Sequence, residues 1–298
     1  MLLTISLSAK SAITYDVNVG GRLGDHLLIY CKAKWISYKY DLSLFYKPFT
    51  SSTDLLLHQA ETYSFKTADI KNYDTLIKIK DEEELSNSAS SNNLYESSIY
   101  FRPFDFEHKL LKHMNDLEKK FILELKKLIC PMHALPRLEL PQDAITVAVH
   151  VRKGSGHDKP LQSRSPKPKF SDRIWPLKFP PDQYYIDQIK KIAQRFKNKK
   201  IYVFIFTDHK QPKEIAIKYQ NSINNPLITF DYRRHDELKR ILLLQDFFDM
   251  TRFDCLIRGD SNFSKVAQII GNHSSVYYPK HGYWLGDQLI IDEVGVLE

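Results

Sequence analysis

Three groups of residues in this 298-residue chain combine side chains that bind anions in proteins. The first group runs from His150 to Gly154 (H-V-R-K-G) and follows an alternating apolar run. Arginine presents a planar fork of donors that suits phosphate, and glycine lets a ligand approach the backbone closely. Open α/β sheets bind ligands at such strand ends. The group predicts an anion site at Arg152; the alternative is a surface ion pair for Arg152 and a core hydrogen bond for His150.

The residues after Gly154 add hydroxyl, imidazole and carboxylate groups at Ser155, His157 and Asp158. Such a cluster just past a strand end can hold a pyrophosphate, and His157 or Asp158 would supply a base or else shape a turn. The segment continues to Pro181 with many prolines and little periodicity. Loops of this length in compact domains are often lids or binding loops.

The second group, residues 20–25 (G-G-R-L-G-D), lies between a strand-like run at 13–19 and a helical pattern at 25–35. Glycines there let a phosphate or a sugar approach the N–H groups of a helix N-terminus, where the dipole favours negative charge. The spacing differs from the dinucleotide fingerprint G-x-G-x-x-G. A tight turn with Asp25 as helix N-cap explains the same residues equally well.

The third group extends from Asp246 to Ser264. A helix ends within it, a short strand follows, and the hydroxyl and amide groups of Ser261, Asn262 and Ser264 open a further helix. This arrangement again brings a helix N-terminus to a strand end, which suits an anion. The alternative makes Ser261 an N-cap and Phe263 a core residue.

Alternating strands and helices position the first and third groups. We expect strands at 144–151, 201–206, 227–230, 255–257 and 276–278, and helices at 182–196, 212–220, 235–250 and 262–270. Alternation of this kind implies a parallel, doubly wound sheet. Upstream, apolar spacing predicts one long helix at 105–129, ended by Pro131 and Pro136. The expected fold is α/β, with two Rossmann-like domains, 1–135 and 136–298, that face a cleft.

Composition excludes several classes of protein. No apolar stretch reaches the ~18–20 residues that cross a bilayer, and the N-terminal apolar run lacks the basic leader of a secretory signal. Three widely spaced cysteines argue for reduced thiols and against a disulfide scaffold or a zinc site. We therefore expect no metal, no transmembrane segment and a cytoplasmic location, with peripheral attachment to a membrane as an alternative.

The net charge of +7 is unevenly distributed, because residues 150–200 carry 14 Lys and Arg against four Asp. Such a field attracts nucleotides, nucleic acid or acidic membrane surfaces, although a solvated lysine-rich surface explains most of these charges. Aromatic residues are not interleaved with the basic ones, as readers of single strands require. Nucleic acid is therefore not an expected partner.

Together, the three groups resemble the fucosyltransferase superfamily, which includes α-1,2- and α-1,6-fucosyltransferases and protein O-fucosyltransferases. Residues 21–25 are similar to its G-R-x-G-N loop, with Asp25 in place of asparagine, and residues 150–154 to its H-x-R-x-G signature. Residues 205–208 (I-F-T-D) resemble a strand that ends in a hydroxyl–acid pair. Residues 261–264 resemble an S-S-F-S turn, with Asn262 in place of serine.

The resemblance implies a GT-B type fold and GDP-fucose as the donor, used without a metal. It implies that Arg152 pairs with the β-phosphate and that Asp246 accepts hydrogen bonds from guanine. Ser261 to Ser264 would hold phosphate and ribose, and Gly24 with Asp25 would border the sugar. The full set of implied donor-binding residues is Gly21, Arg22, Gly24, His150, Gly154, Asp208, Asp246, Asp254, Ser261, Asn262, Phe263 and Ser264.

Glycosyl transfer develops negative charge on the leaving pyrophosphate, which a fixed guanidinium and helix-terminal N–H groups would stabilise. An inverting reaction also needs a base on the acceptor hydroxyl, for which the candidates are Asp25 and Asp158. The expected activity is transfer of fucose to a glycan or protein hydroxyl. The alternatives are a transferase for another nucleotide sugar and a non-catalytic descendant that binds a nucleotide or a glycan.

Overall fold

A computed structural model describes residues 11–17, 21–62, 73, 75–86, 92–98, 101, 106–154, 176–233, 239–286 and 288–298. The chain divides into two compact units. The first comprises Met1–Phe106 and Met114–Ala134, and the second comprises Glu107–His113 and Leu135–Glu298. The division after Ala134 lies beside the boundary expected from the prolines, whereas assignment of Glu107–His113 to the second unit has no counterpart in the sequence prediction.

The first unit contains a four-stranded parallel sheet in the order β2-β1-β4-β3. Its elements are β1 (Ala12–Tyr15), α1 (Leu23–Tyr40), β2 (Ser43–Leu44), α2 (Leu56–Thr62), β3 (Thr75–Ile79), α3 (Glu83–Ser86), β4 (Asn93–Ser97) and α4 (Asp116–Leu128). Helix α1 is buried along most of its length, and Trp35 on it packs edge-on against Phe106 and Phe121. This aromatic packing holds α4 against α1.

Helix α4 is shorter than the apolar spacing predicts, so the expected helix at 105–129 is wrong over its first part. Asn115 stops it, because its side chain accepts from the N–H of Glu118 at 2.9 Å while Glu118 accepts from the N–H of Asn115. This reciprocal pair is a capping box, which fixes a helix start whatever apolar residues precede it. Residues Leu111–His113 form a separate 3-10 turn.

The second unit contains a six-stranded sheet in the order β10-β9-β8-β5-β6-β7. Its elements are β5 (Ala144–Val151), α5 (Asp182–Arg195), β6 (Lys200–Thr207), α6 (Pro212–Ile223), β7 (Ile228–Tyr232), α7 (Lys239–Met250), β8 (Cys255–Arg258), α8 (Asn262–Ile270), β9 (Ser275–Leu285) and β10 (Gln288–Leu297). All neighbouring strands run parallel except β9 and β10. The predicted α/β class with two Rossmann-like units is confirmed.

The end of the chain differs from the sequence prediction. The expected last strand at 276–278 is the start of an eleven-residue strand, which turns back as the antiparallel strand β10. Pro279 and Gly282 interrupt the strand signal in the sequence, because both residues are unfavourable inside strands. Both residues lie in β9 beyond Ser275–Tyr277, the stretch that pairs with β8, so they fall where β9 pairs with β10 and such interruptions are tolerated.

Buried side chains fix the register of the central strands. Val147, Val149 and Val151 of β5 pack with Val203 and Ile205 of β6 in one apolar cluster, together with residues of α5 and α6. The register pairs Val151 with Thr207 and His150 with Arg258. The carboxyl ends of β5, β6 and β8 therefore meet along one side of the sheet, here called the carboxyl edge.

Among the described residues, no helix has both the length and the apolar character needed to cross a bilayer.

Candidate functional site

Arg152 lies directly after β5 on the carboxyl edge, and only 8% of its side chain is exposed. Its Nη1 donates to Oδ2 of Asp208, which follows β6, at 2.5 Å. Oδ1 of the same carboxylate accepts from the backbone N–H of Lys153 at 2.7 Å. Asp208 thus fixes both the guanidinium and the backbone beside it. The ion pair is buried, unlike the surface pair that the sequence left as an alternative.

Lys153 is fixed in turn by Asp182 at the start of α5. Asp182 accepts from Nζ of Lys153 at 2.5 Å, from Nζ of Lys218 at 2.7 Å and from the hydroxyl of Tyr219 at 2.8 Å. Burial alone would raise the pKa of Asp182, but these three donors outweigh burial and lower it to about 2. Asp182 is not among the site residues predicted from the sequence. An acid that opens a helix directly after Pro180-Pro181 was the available signal.

Gly154 ends this segment with a φ of 91°. Residues with a side chain rarely adopt that conformation, so a glycine is required by the turn itself. This explains the glycine of the H-x-R-x-G pattern in backbone terms. Asp158, with Ser155 and His157, lies outside the described residues, so its predicted role as a base stays a prediction.

His150 and Phe263 pack against each other. Their ring centroids lie 5.6 Å apart, and Phe263 also contacts Phe247 of α7 edge-on at 5.4 Å. Only 7% of His150 is exposed. The structure therefore gives these two predicted donor-binding residues a packing role between β5, α7 and α8.

The N-terminus of α8 meets the carboxyl edge as the sequence predicts. Ser261 occupies the N-cap position, but its side chain makes no capping hydrogen bond. Ser264 is fully buried, and its hydroxyl donates to the carbonyl of Ser261 at 3.1 Å, so it points into the protein. The first N–H groups of a helix lack partners within the helix and favour an anion. Ser261 is buried and Asn262 is partly exposed, so Asn262 and the backbone N–H groups of the S-N-F-S turn are best placed for a ligand.

Arg258, the last residue of β8, is a fully buried cation and is not among the site residues predicted from the sequence. Its Nε donates to Oε1 of Gln268 at 2.7 Å, its Nη1 donates to the carbonyl of Gly259 at 3.2 Å, and the guanidinium lies 4.9 Å from the ring centre of Tyr278. Burial lowers the pKa of Arg258. The acceptors bonded to Arg258 are neutral, the carboxylates of Asp260 and Glu107 act on its charge through space, and the guanidinium lies under the start of α8.

Asp246 belongs to an ionic network on α7. Its Oδ1 accepts from Nε of Arg233, directly after β7, at 2.5 Å, and Nη2 of Arg233 donates to Oδ2 of Asp249 at 2.6 Å. Asp249 is nearly buried and also accepts from Arg252 at 3.1 Å. Arg233 and Asp249 are not among the site residues predicted from the sequence, since nothing in their spacing links residue 233 to α7.

Asp254 is not brought together with the other predicted residues. It precedes β8, at the opposite side of the sheet from Arg152, and its Oδ2 accepts from the N–H and the hydroxyl of Thr146 at 2.9 and 2.8 Å. The hydroxyl of Thr146 also accepts from the N–H of Asp254. The carboxylate therefore links the start of β8 to the start of β5. Asp254 was predicted to bind the donor because of its order along the chain, which does not show at which end of the strand a residue lies.

The glycine loop in the first unit forms a compact helix start. Arg22 is the N-cap of α1, so the alternative that made Asp25 the N-cap is wrong. Asp25 lies at the third helical position, and its Oδ2 accepts from the N–H of Arg22 at 3.0 Å. A Cβ added to Gly21 would lie 2.8 Å from Cβ of Asp25, which explains a glycine there. Gly24 is buried in the first turn, and Gly20 lies outside the described residues.

Comparison with known proteins identifies the architecture. No family model matches the chain, and no curated protein does. A solved structure of an Arabidopsis thaliana FUT1 mutant in complex with GDP superimposes with a TM-score of 0.50, at 13% identity, over 92% of this chain and 71% of that chain. This chain has a fucosyltransferase fold.

Two further fucosyltransferase structures match at lower scores. POFUT1 in its apo form has a TM-score of 0.42 at 12% identity, covering 89% of this chain and 96% of that chain. NodZ from Bradyrhizobium also scores 0.42 at 12% identity, covering 97% and 98%. On the fucosyltransferase fold of this chain, the carboxyl edge brings together Arg152, Asp208 and the start of α8.

Proposed function

We propose that this protein is an inverting glycosyltransferase that transfers fucose from GDP-fucose to a hydroxyl of a glycan or a protein. The observation that carries the proposal is the buried guanidinium of Arg152, held by Asp208 on the carboxyl edge. The fucosyltransferase fold, shared with a protein solved in complex with GDP, supports the same donor class.

Arg152 would neutralise the β-phosphate of the donor as the bond to fucose breaks. A guanidinium has five N–H donors, so a bond from Nη1 to Asp208 is compatible with a second bond to phosphate. The N-terminus of α8 and the buried charge of Arg258 would add to the positive potential at the leaving group. The protein itself would thus stabilise the developing charge, without a metal.

Asp246 would recognise the guanine base. Guanine presents two adjacent N–H donors, and an ionised carboxylate accepts through two oxygens with about four lone-pair sites. The bond from Arg233 occupies one of these sites on Oδ1 and is compatible with a bound base. Gly154, Ser261 and Asn262 would border the phosphates, where backbone N–H groups and small side chains permit close approach.

The base that deprotonates the acceptor would be Asp25 or Asp158. In the first unit, Gly21, Arg22 and Gly24 would contact the donor.

One observation favours a second candidate function, a non-catalytic descendant that binds a nucleotide or a glycan. The Asp25 carboxylate accepts from the N–H of Arg22, so it already caps the start of α1. A capping carboxylate of this kind needs no catalytic role.

Calorimetric titration with GDP, UDP and CDP tests the proposal. We expect binding of GDP alone, lost in Arg152→Ala and in Asp246→Ala. Arg195→Ala is the matched control, because Arg195 pairs with Glu298 at the surface. Equal binding of all three nucleotides points to another donor, and no binding of any refutes the proposal. Background hydrolysis and transfer of GDP-fucose, with intact GDP binding, favours the non-catalytic descendant.

A further inference from the structure

Arg233 bridges two carboxylates of α7 with a single guanidinium. Nε donates to Oδ1 of Asp246 at 2.5 Å, and Nη2 donates to Oδ2 of Asp249 at 2.6 Å. The planar fork of arginine has donors in fixed directions, whereas a lysine ammonium is a point charge on a flexible stem. The orientation of the Asp246 carboxylate is therefore tied to the orientation of the Arg233 plane.

Asp249 is the fixed end of this network. Only 3% of its side chain is exposed, and its Oδ1 accepts from the N–H of Leu138 and from Nη1 of Arg252, both at 3.1 Å. Nη1 of Arg252 also donates to the carbonyl of Leu138 at 2.9 Å. A carboxylate bonded through both oxygens cannot rotate freely, so Asp249 holds Arg233 in place.

Asp246 is the more exposed end of the same network, since 24% of its side chain is exposed. Burial disfavours the charge of Arg233, but Asp246 and Asp249 outweigh burial and raise its pKa above the ordinary value. The guanidinium also lies 5.9 Å from the ring centre of Phe204, which further limits its position. Asp249, which holds Arg233 in place, is therefore buried, whereas Asp246, which would accept from the ligand, is partly exposed.

We propose that Arg233 is a positioning residue that sets the base specificity of the nucleotide site by orienting Asp246. The inference rests on the proposed function, in which Asp246 binds guanine. A carboxylate held in one plane meets both the N1–H and the 2-amino group of guanine. Hypoxanthine offers the N1–H alone, so an oriented carboxylate distinguishes GDP from IDP, whereas a carboxylate that rotates distinguishes them poorly.

The test compares the Kd values of GDP and IDP by calorimetry for the wild type, Arg233→Met, Arg233→Lys and Arg252→Met. A hydrogen bond to a charged group implies that the wild type prefers GDP by about 10-fold or more. In both Arg233 variants we expect this preference to fall below about threefold, mainly through weaker GDP binding, because neither side chain keeps the fork. Arg252→Met is the matched control, since Arg252 contacts Asp249 but bonds no oxygen of Asp246.

Two outcomes overturn the inference while leaving the proposed function intact. An unchanged GDP preference in both Arg233 variants shows that Arg233 does not orient Asp246. An equal loss in Arg252→Met shows that general loosening, rather than orientation, sets the preference. Absence of GDP binding in the wild type refutes the proposed function and this inference together. If Arg233→Met does not fold, Arg233→Lys, which keeps the charge, decides the question.

Discussion

The ion pair of Arg152 with Asp208 predicts a measurable coupling in protein stability. Asp208→Ala leaves a guanidinium that is only 8% exposed without its carboxylate. Removing one partner of a buried pair costs 3–5 kcal/mol, and the 15% exposure of Asp208 places the expected loss at about 3 kcal/mol. At roughly 2–4 °C per kcal/mol for domains of this size, Tm falls by about 6–12 °C.

A double-mutant cycle by urea unfolding measures the coupling itself. Arg152→Met leaves Asp208 with its bond to the N–H of Lys153, so we expect a smaller loss, about 2 kcal/mol. The double variant should lose little more than Asp208→Ala, which gives a coupling free energy of about 2 kcal/mol. Losses that add to within about 0.5 kcal/mol would show that the two side chains do not interact, and the proposed fixation of Arg152 would be wrong.

Three further outcomes follow from the described contacts. The pKa of Asp182 is lowered to about 2, so its ionised form contributes about 2 kcal/mol to the free energy of unfolding above pH 4, and this contribution disappears as the pH falls towards 2. Asp182→Asn should remove this pH dependence from acid unfolding curves. Gly154→Ala should cost about 1–2 kcal/mol in thermal unfolding, because φ at this position is 91°, and an unchanged Tm would contradict that backbone conformation. Asp254→Ala should lower stability by about 1 kcal/mol through its lost bonds to Thr146, yet leave the Kd for GDP unchanged. Weaker GDP binding would show that Asp254 belongs to the donor site.

The sequence predicted the elements of the second unit well where burial dictates the pattern. Strand β5 and helix α8 begin and end at the predicted residues, 144–151 and 262–270. Strand β5 is buried over its last six residues, so its apolar run has a single interpretation. Helix α4 was overextended because one polar cap at Asn115 outweighs the apolar spacing before it.

The ionic partners of the candidate site could not be predicted in the same way. Asp208 meets Arg152 because strand order and register place the residues after β5 and β6 side by side, and Arg233 meets Asp246 because tertiary packing brings α7 to the end of β7. Such pairings depend on tertiary structure, which residue spacing does not encode. The position of Asp254 was predictable, however. A residue that directly precedes a predicted parallel strand lies at its amino end, away from the edge where ligands bind.

A crystal structure of the protein with GDP bound tests the role of Arg152 directly. We expect the β-phosphate within hydrogen-bond distance of the Arg152 guanidinium, about 2.7–2.9 Å, with guanine against the Asp246 carboxylate. A nucleotide bound elsewhere, or a β-phosphate without a hydrogen bond to Arg152, would contradict this role.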